Sequence, residues 1–278
     1  MGWKITDKFL VDPQDNDSVP FDQGGIVRRS TWGKIKDYIL GNASLVTTDK
    51  TVRGAINEVN TSLSERVKRS TADITYYVSP TGNDSNDGLT SGTAFKTIQH
   101  AIDSLPQIMN NIATINVASG TYNEVVIISG FAGKGSIKLN GGTNLNTAVN
   151  YIINNLSILK CTCNVTVVGF ISAITNGNSF YISGCVNAVL NYCIDTVLAI
   201  SKQGIFCEYS FVIIYGCQIS NKDHGIFASN SATIFSNSNT GTGNTYGLYA
   251  NNAATIGKYG TQPSGTTAEA SSGGGVIR

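Results

Sequence analysis

The stretch IFCEYSFVIIYGC, residues 205–217, decides the fold of this chain, because a pattern like it recurs along the sequence. Comparable stretches begin at Ile158, Ile182, Ile226 and Leu248, so successive starts are 24, 23, 21 and 22 residues apart. Each unit contains two or three short apolar runs that are typical of β-strands. A period in the low twenties with no helix inside the unit indicates a solenoid.

No single unit of this repeat can bury its apolar side chains alone. Stacking the units as parallel strands, about 4.8 Å apart, buries one continuous core. We therefore predict an all-β protein that forms a right-handed parallel β-helix over residues 73–278. The final stretch TQPSGTTAEASSGGGVIR, residues 261–278, is too rich in Gly, Ser and Thr to supply a core, so we expect a closing loop or tail there.

One amphipathic helix is predicted just before the repeat. It runs from Thr93 to Leu105 and ends before Pro106. Its apolar stripe consists of Phe95, Ile98, Ala101, Ile102 and Leu105. The first coil of a β-solenoid has an open edge and an exposed core, which recruit other strands. We expect the helix to lie across that N-terminal end as a cap.

The cysteines follow the same repeat. The chain has six: Cys161, Cys163, Cys185, Cys193, Cys207 and Cys217. Cys161 and Cys185 are 24 residues apart, as are Cys193 and Cys217, and Cys207 is near-equivalent to Cys185. Thiols at matching positions of successive coils are expected to stack in the core as free cysteines. A disulfide framework and a metal site remain the alternatives, although C-x-C without a nearby His is a weak metal pattern.

Composition excludes several classes of partner. The net charge is +1 and only 13% of residues are charged, so nothing favours nucleic acid or an anionic membrane. No run of about 18 apolar residues is present, so we expect no membrane insertion. The N-terminal stretch MGWKITDKFLVD lacks the apolar segment and cleavage site of a signal peptide, which predicts synthesis in the cytoplasm.

Residues 48–69, TDKTVRGAINEVNTSLSERVKR, carry the pattern of a short helical seam. Its apolar residues step by four and three positions and are Val52, Ile56, Val59, Leu63 and Val67. About three turns are too few for an independent coiled coil, so the seam needs oligomer contacts beside it. We predict a helical neck over residues 48–72 that joins subunits through these five residues. The alternative is an amphipathic helix packed on its own domain.

Two parts of the sequence resemble known families. YYVSPTGNDSNDGLTSGTAFKTIQHAIDSLPQ, residues 76–107, followed by TINVASGTYNEVVIIS, residues 114–129, resembles the entrance of pectate-lyase-like β-helix proteins. TTDKTVRGAINEVN, residues 47–60, resembles a segment that precedes the fibre or spike domain of phage tail proteins. The combination is similar to bacteriophage tailspikes and receptor-binding tail proteins. The β-helix families include lyases, hydrolases and proteins without known catalysis, so the resemblance implies a fold more than an activity.

The resemblance implies a homotrimeric virion protein of the phage tail or baseplate. Residues 1–47 would form the attachment region, and residues 1–50 would contact tail or baseplate proteins. The β-helix would contact glycan on the host surface, where three weak sites on one rigid body act with avidity. A polysaccharide depolymerase on the same β-helix is the second hypothesis. A purely structural part of a tail or of a tail-like bacteriocin is the third.

Carboxylates are scarce where an enzyme of this kind would need them. Of 18 acidic residues, only Asp195, Glu208, Asp223 and Glu269 follow residue 140. Glycosidases need two carboxylates about 5–9.5 Å apart. The catalytic candidates are Asp195, Glu208, Asp223 and His224, but the repeat does not align Asp195 with Glu208, and Asp223 and His224 fall in a predicted turn. We expect each to be solvated, so catalysis stays open with its absence favoured.

A binding surface has a clearer pattern. Phe206, Phe227 and Tyr249 each follow the inward apolar start of a coil, so strand alternation turns all three outward. An outward aromatic ladder is either a subunit interface or a ligand platform, and the pattern favours the interface. The polar loop at residues 83–88 lacks the spacing of a calcium loop, and we expect no metal and no cofactor.

Overall fold

A computed structural model describes residues 18–23, 26–31, 53–54, 56–58 and 68–278. The chain divides into two compact units, residues 1–66 and 67–278. In the first unit, strands β1 (Ser18–Gln23) and β2 (Ile26–Thr31) pair antiparallel. Of the predicted seam, Val52, Val59, Leu63 and Val67 lie outside the described residues. Ile56 is described, and 54% of its surface is exposed.

The second unit is a parallel β-solenoid, as the repeat predicted. Its strands in chain order are β3 (Ile74–Val78), β4 (Ile112–Val117), β5 (Gly120–Ser129), β6 (Ser136–Asn140), β7 (Tyr151–Leu159), β8 (Asn164–Val168), β9 (Ile171–Ser172), β10 (Phe180–Ser183), β11 (Asn187–Asn191), β12 (Ile194–Asp195), β13 (Ala199–Glu208), β14 (Phe211–Tyr215), β15 (Gln218–Ile219), β16 (Lys222–Ser229), β17 (Thr233–Asn237), β18 (Asn244–Ala250), β19 (Thr255–Tyr259), β20 (Gly265–Ser271) and β21 (Val276–Ile277). Two short α-helices, α1 (Ile98–Asp103) and α2 (Leu145–Ala148), and a single 3-10 turn (Ser91–Thr93) interrupt them.

The strands form two parallel sheets that enclose one core. A nine-stranded sheet runs in the order β3, β4, β6, β8, β11, β14, β17, β19, β21. The other sheet has ten strands and includes β13, β16, β18 and β20 as successive neighbours. Rows of apolar side chains cross the coils in register and point inward. One such row is Ile137, Val165, Ala188, Val212, Ile234 and Ile256, all of them buried.

The repeat alignment holds within two blocks and shifts between them. Ile158 pairs with Ile182, and Ile205, Ile226 and Leu248 pair in one row. Ile182, however, pairs with residue 207 and not with Ile205. The shift is two residues, and a shift of two leaves the same side chains facing inward because strand side chains alternate.

The helix in the structure is shorter than the helix that the apolar pattern predicted. Residue 95 forms a parallel bridge with Val78, so the chain is still extended there and α1 begins only at Ile98. The N–H groups of Ile98 and Gln99 donate to the Glu124 carboxylate at 2.9 Å, which satisfies two donors of the first helical turn. Burial of the stripe is confirmed, since Phe95, Ile98, Ala101, Ile102 and Leu105 are all at most 6% exposed.

All six cysteines are buried and free, as expected from their spacing. The proposed equivalence of Cys185 and Cys207 is wrong. Cys207 lies in β13 beside Ile182, whereas the backbone N–H of Cys185 donates to Ser210 Oγ on the next coil. Ser210, and not Cys207, therefore lies next to Cys185 on the following coil, because the two-residue shift changes which residues are equivalent.

The C-terminal stretch is not a loose tail. Its residues form β20 and β21, which pair parallel with β18 and β19. Most of their side chains are exposed, so the backbone hydrogen bonds of the sheet edge, rather than apolar burial, hold them. No helix among the described residues is long and apolar enough to span a membrane.

Candidate functional site

The ten-stranded sheet carries a cluster of rings on its outer surface. Phe206, Phe227 and Tyr249 lie in register on β13, β16 and β18, and Tyr181 of β10 pairs with Phe206. The ring centroids of Tyr181 and Phe206 are 5.3 Å apart, and those of Phe206 and Phe227 are 4.9 Å apart. All four side chains are half-buried, whereas the residues that precede the last three are core positions. This is the geometry expected of outward neighbours on adjacent strands.

A second column of rings runs beside the first. His224 of β16 pairs with Tyr246 of β18, and their rings are stacked at 5.1 Å and 13°. The His224 ring also lies 4.7 Å from Phe227. Two consecutive buried residues, Gly225 and Ile226, separate His224 from Phe227, so the strand bends there and both flanking rings meet on the outside.

The same bend recurs on the next coil, with Gly247 and Leu248 between Tyr246 and Tyr249. A Cβ at Gly247 would lie 2.1 Å from the carbonyl oxygen of Pro263, so only glycine fits at that corner. We call the six outward rings the aromatic cluster. Its members are Tyr181, Phe206, His224, Phe227, Tyr246 and Tyr249.

Most ring faces inside the aromatic cluster are already covered. Tyr181, Phe206 and Phe227 stack within about 20° of parallel, so each ring shields the face of its neighbour and leaves its edge toward solvent. Tyr249 is turned by 68° relative to Phe227 and by 59° relative to Tyr246. The stack thus stabilises the coils of β10, β13, β16 and β18 that carry it, and its geometry changes at Tyr249.

Asp223 and His224 were expected in a solvated turn, and that expectation is wrong. Both lie in β16, and the side chain of His224 is only 13% exposed. Its Nδ1 is 3.1 Å from Asp223 Oδ2. Burial lowers the pKa of His224, and the negative charge of Asp223 opposes that shift. The imidazole is therefore held mainly neutral against the rings of the aromatic cluster.

Glu208 lies at the edge of the aromatic cluster and is engaged by hydrogen bonds. Its Oε1 accepts from the hydroxyls of Tyr181 and Ser183, and its Oε2 accepts from Asn230 Nδ2 at 2.9 Å. Burial and this carboxylate raise the pKa of Tyr181. The carboxylate thus ties together three successive coils, a role that the sequence did not indicate.

Asp195 is not solvated either, because it forms a buried ion pair. Its Oδ1 lies 2.9 Å from Lys222 Nζ, and both side chains are fully buried. Lys222 also donates to the carbonyl of Val197 at 2.7 Å, while Ser179 donates to Asp195 Oδ2. Burial raises the pKa of Asp195, although Ser179 and Lys222 pull it down. A carboxylate enclosed in this way does not reach the surface of the chain, which argues against a catalytic role for Asp195.

The acidic residues of the loop at 83–88 organise the loop itself. Asp84 accepts from the N–H groups of Lys96 and Thr97, at 2.8 and 2.9 Å, and Asp87 accepts from Leu89 and Thr93. Burial raises the pKa of Asp84, but these hydrogen bonds outweigh it and leave the pKa lowered. Within the described part of the chain, no three His, Cys, Asp or Glu side chains are grouped to hold a metal ion.

Comparison of the chain with family models, with curated proteins and with solved structures gave no match.

Proposed function

We propose that this chain is a receptor-binding subunit of a phage tail, of the tail-fibre or tailspike type, and that its β-solenoid contacts glycan on the host surface. The observation that carries the proposal is the aromatic cluster, which is displayed in register on the outside of a rigid solenoid. Rings with neighbouring hydroxyl and amide groups suit sugars, because a sugar offers both an apolar C–H face and hydroxyls. The resemblance of residues 47–60 and 76–129 to phage tail and β-helix proteins supports the same proposal.

We further propose a homotrimer with right-handed coils, joined by a helical neck over residues 48–72 and attached to the tail or baseplate through residues 1–50. The exposure of Ile56 in the single chain supports a seam between subunits. We also propose that α1 caps the N-terminal end of the solenoid. It packs against β3, β4 and β5, the first strands of that unit, which supports this role.

A polysaccharide depolymerase on the same scaffold is the second candidate function. The pairing of Asp223 with His224 beside the rings is the observation that favours it. This candidate lacks the second free carboxylate that glycosidases need. Glu208 is held in hydrogen bonds, and Asp195 is enclosed in an ion pair. An interchain arrangement of carboxylates would be required.

The test is adsorption of the purified protein to bacterial cells, followed by analysis of soluble sugar. We expect adsorption without release of oligosaccharides, and the same adsorption by the Asp223→Asn variant. Oligosaccharide release that Asp223→Asn abolishes would replace the adhesin by the depolymerase. No adsorption to any cell or isolated envelope glycan would favour a purely structural tail part.

A further inference from the structure

The stack of rings ends abruptly at one end of the aromatic cluster. The strand after β18 is β20, which places Thr267 beside Tyr246 and Ala270 beside Tyr249. Each of the strands β13, β16 and β18 contributes at least one ring to the aromatic cluster, whereas β20 contributes two small side chains at the positions that follow Tyr246 and Tyr249. Thr267 is exposed and Ala270 is half-buried. The last rings therefore have small neighbours on the side that faces away from the stack.

The orientation of Tyr246 decides which surface is accessible. Its ring lies within 13° of parallel to His224, with centroids 5.1 Å apart, so one face is covered by the imidazole. The opposite face points along the solenoid toward the coil of Thr267. Among the described residues, the ring contacts of Tyr246 are to His224 and Tyr249. A threonine side chain is too small to cover a tyrosine face.

Polar groups surround this accessible face. The Tyr249 hydroxyl lies 3.0 Å from Ser272 Oγ, and Ser272 directly follows β20, the strand that places Ala270 beside Tyr249 and Thr267 beside Tyr246. Glu269 is engaged by an ion pair with Lys258 and does not add an uncompensated charge. The surface thus combines the flat apolar face of Tyr246 with nearby hydroxyl groups. The Lys258–Glu269 ion pair adds no net charge to it.

We propose that the end of the aromatic cluster is a subsite for one neutral pyranose ring, which stacks on Tyr246 and hydrogen-bonds to the hydroxyls of Thr267 and Tyr249. A pyranose fits because one side of its ring presents C–H groups and its rim presents hydroxyls. This subsite rests on the proposed glycan-binding function and locates it. The remaining rings of the cluster act as structural support for Tyr246 rather than as further subsites.

The experiment is saturation-transfer NMR on the whole chain with methyl β-glucoside, methyl β-galactoside and N-acetylglucosamine as probes. Tyr246→Ala removes the stacking face, and Thr267→Trp covers it with a new ring that extends the stack. Tyr259→Ala is the matched control, because Tyr259 is a 69% exposed tyrosine of the nine-stranded sheet. Circular dichroism confirms that each variant is folded.

We expect transfer to at least one pyranoside with the unaltered protein and with Tyr259→Ala. Affinity should weaken about fivefold in Tyr246→Ala and Thr267→Trp, since a lost ring contact is worth about 1 kcal/mol beyond burial. No transfer to any probe, or equal transfer with Thr267→Trp, would overturn the subsite. Transfer to indole but to no pyranoside would overturn its assignment to sugar.

Cell adsorption separates this inference from the proposed function. If the unaltered protein and Thr267→Trp adsorb equally to bacteria, the receptor-binding function stands and the subsite is rejected. If the protein adsorbs to no cell but a pyranoside binds at Tyr246, the subsite stands and the receptor-binding function is rejected.

Discussion

Replacing Lys222 by methionine should destabilise the solenoid more than any surface charge change. Lys222 and Asp195 are both fully buried and lie 2.9 Å apart, so the variant leaves a buried carboxylate without its cation. Removing one partner of such a pair costs about 3–5 kcal/mol. For a chain of this size that corresponds to a fall in melting temperature of roughly 6–20 °C.

The assay is thermal and urea unfolding followed by circular dichroism, at one protomer concentration for all variants. Lys258→Met is the matched control, because Lys258 and Glu269 form an ion pair that is 35% and 38% exposed. That pair should contribute at most about 1 kcal/mol. Equal losses in Lys222→Met and Lys258→Met at pH 7 would refute the enclosure of the Asp195 pair.

Two further results follow from the same geometry. Lys222→Met removes an attraction that lowers the pKa of Asp195, so that pKa, already raised by burial, should rise further. A folded state that holds a proton the unfolded state releases loses stability as pH rises, so the penalty should be smaller at pH 5 than at pH 8. The double variant Asp195→Leu with Lys222→Met should recover about half of the loss or more, because it leaves no buried charge.

Three more predictions concern the six thiols, the glycines Gly130 and Gly169, and His224. The six buried cysteines should resist a thiol reagent until the chain is unfolded. Cys163 should resist it in particular, because burial raises its pKa to about 11. Labelling of the native protein would contradict this. Gly130→Ala should lower the free energy of unfolding by about 1–2 kcal/mol, because the residue has a positive φ. Gly169→Ala should lower it more in the same assay, because its Cβ would lie 1.7 Å from a carbonyl oxygen of the neighbouring coil. The lowered pKa of His224 means that the unfolded state takes up a proton first, so stability should fall as pH drops below 6.5, and His224→Gln should lose that slope.

The inward rows of the solenoid could be predicted from sequence because two periods coincide there. Strand alternation fixes which side chains point inward, and the coil repeat fixes which of them meet. The alignment between Ile182 and Ile205 failed by two residues because coils differ in loop length. A shift of two leaves the alternation unchanged, so the sequence pattern contains no signal that would reveal it.

The polar part of the site could not be predicted in this way. Asp195 and Lys222 occupy different positions of their coils, so a repeat alignment does not bring them together. His224 was placed in a turn because NKDHG, residues 221–225, has the composition of a turn, whereas β16 begins at Lys222 and runs through these residues. The strands β20 and β21 were missed because an existing sheet edge, not an apolar pattern, makes residues 265–277 extended.

The aromatic cluster was accessible in part. Phe206, Phe227 and Tyr249 could be found because each directly follows an inward residue. Tyr181 was missed because the register shift hides its match with Phe206, and Tyr246 because it precedes the inward pair at the bend. Bends of a strand are set by packing between coils, and a single sequence does not report them.

The most direct test is the mass of the native oligomer of this chain, measured alone and after incubation with glycan from a bacterial envelope. Each chain is 29.4 kDa, so the account predicts a species of three chains, about 88 kDa, that gains the mass of bound glycan and leaves the glycan chain length unchanged. A monomer would contradict the neck and the trimeric tail assignment. A trimer that shortens the glycan would contradict the adhesin and make the chain a depolymerase.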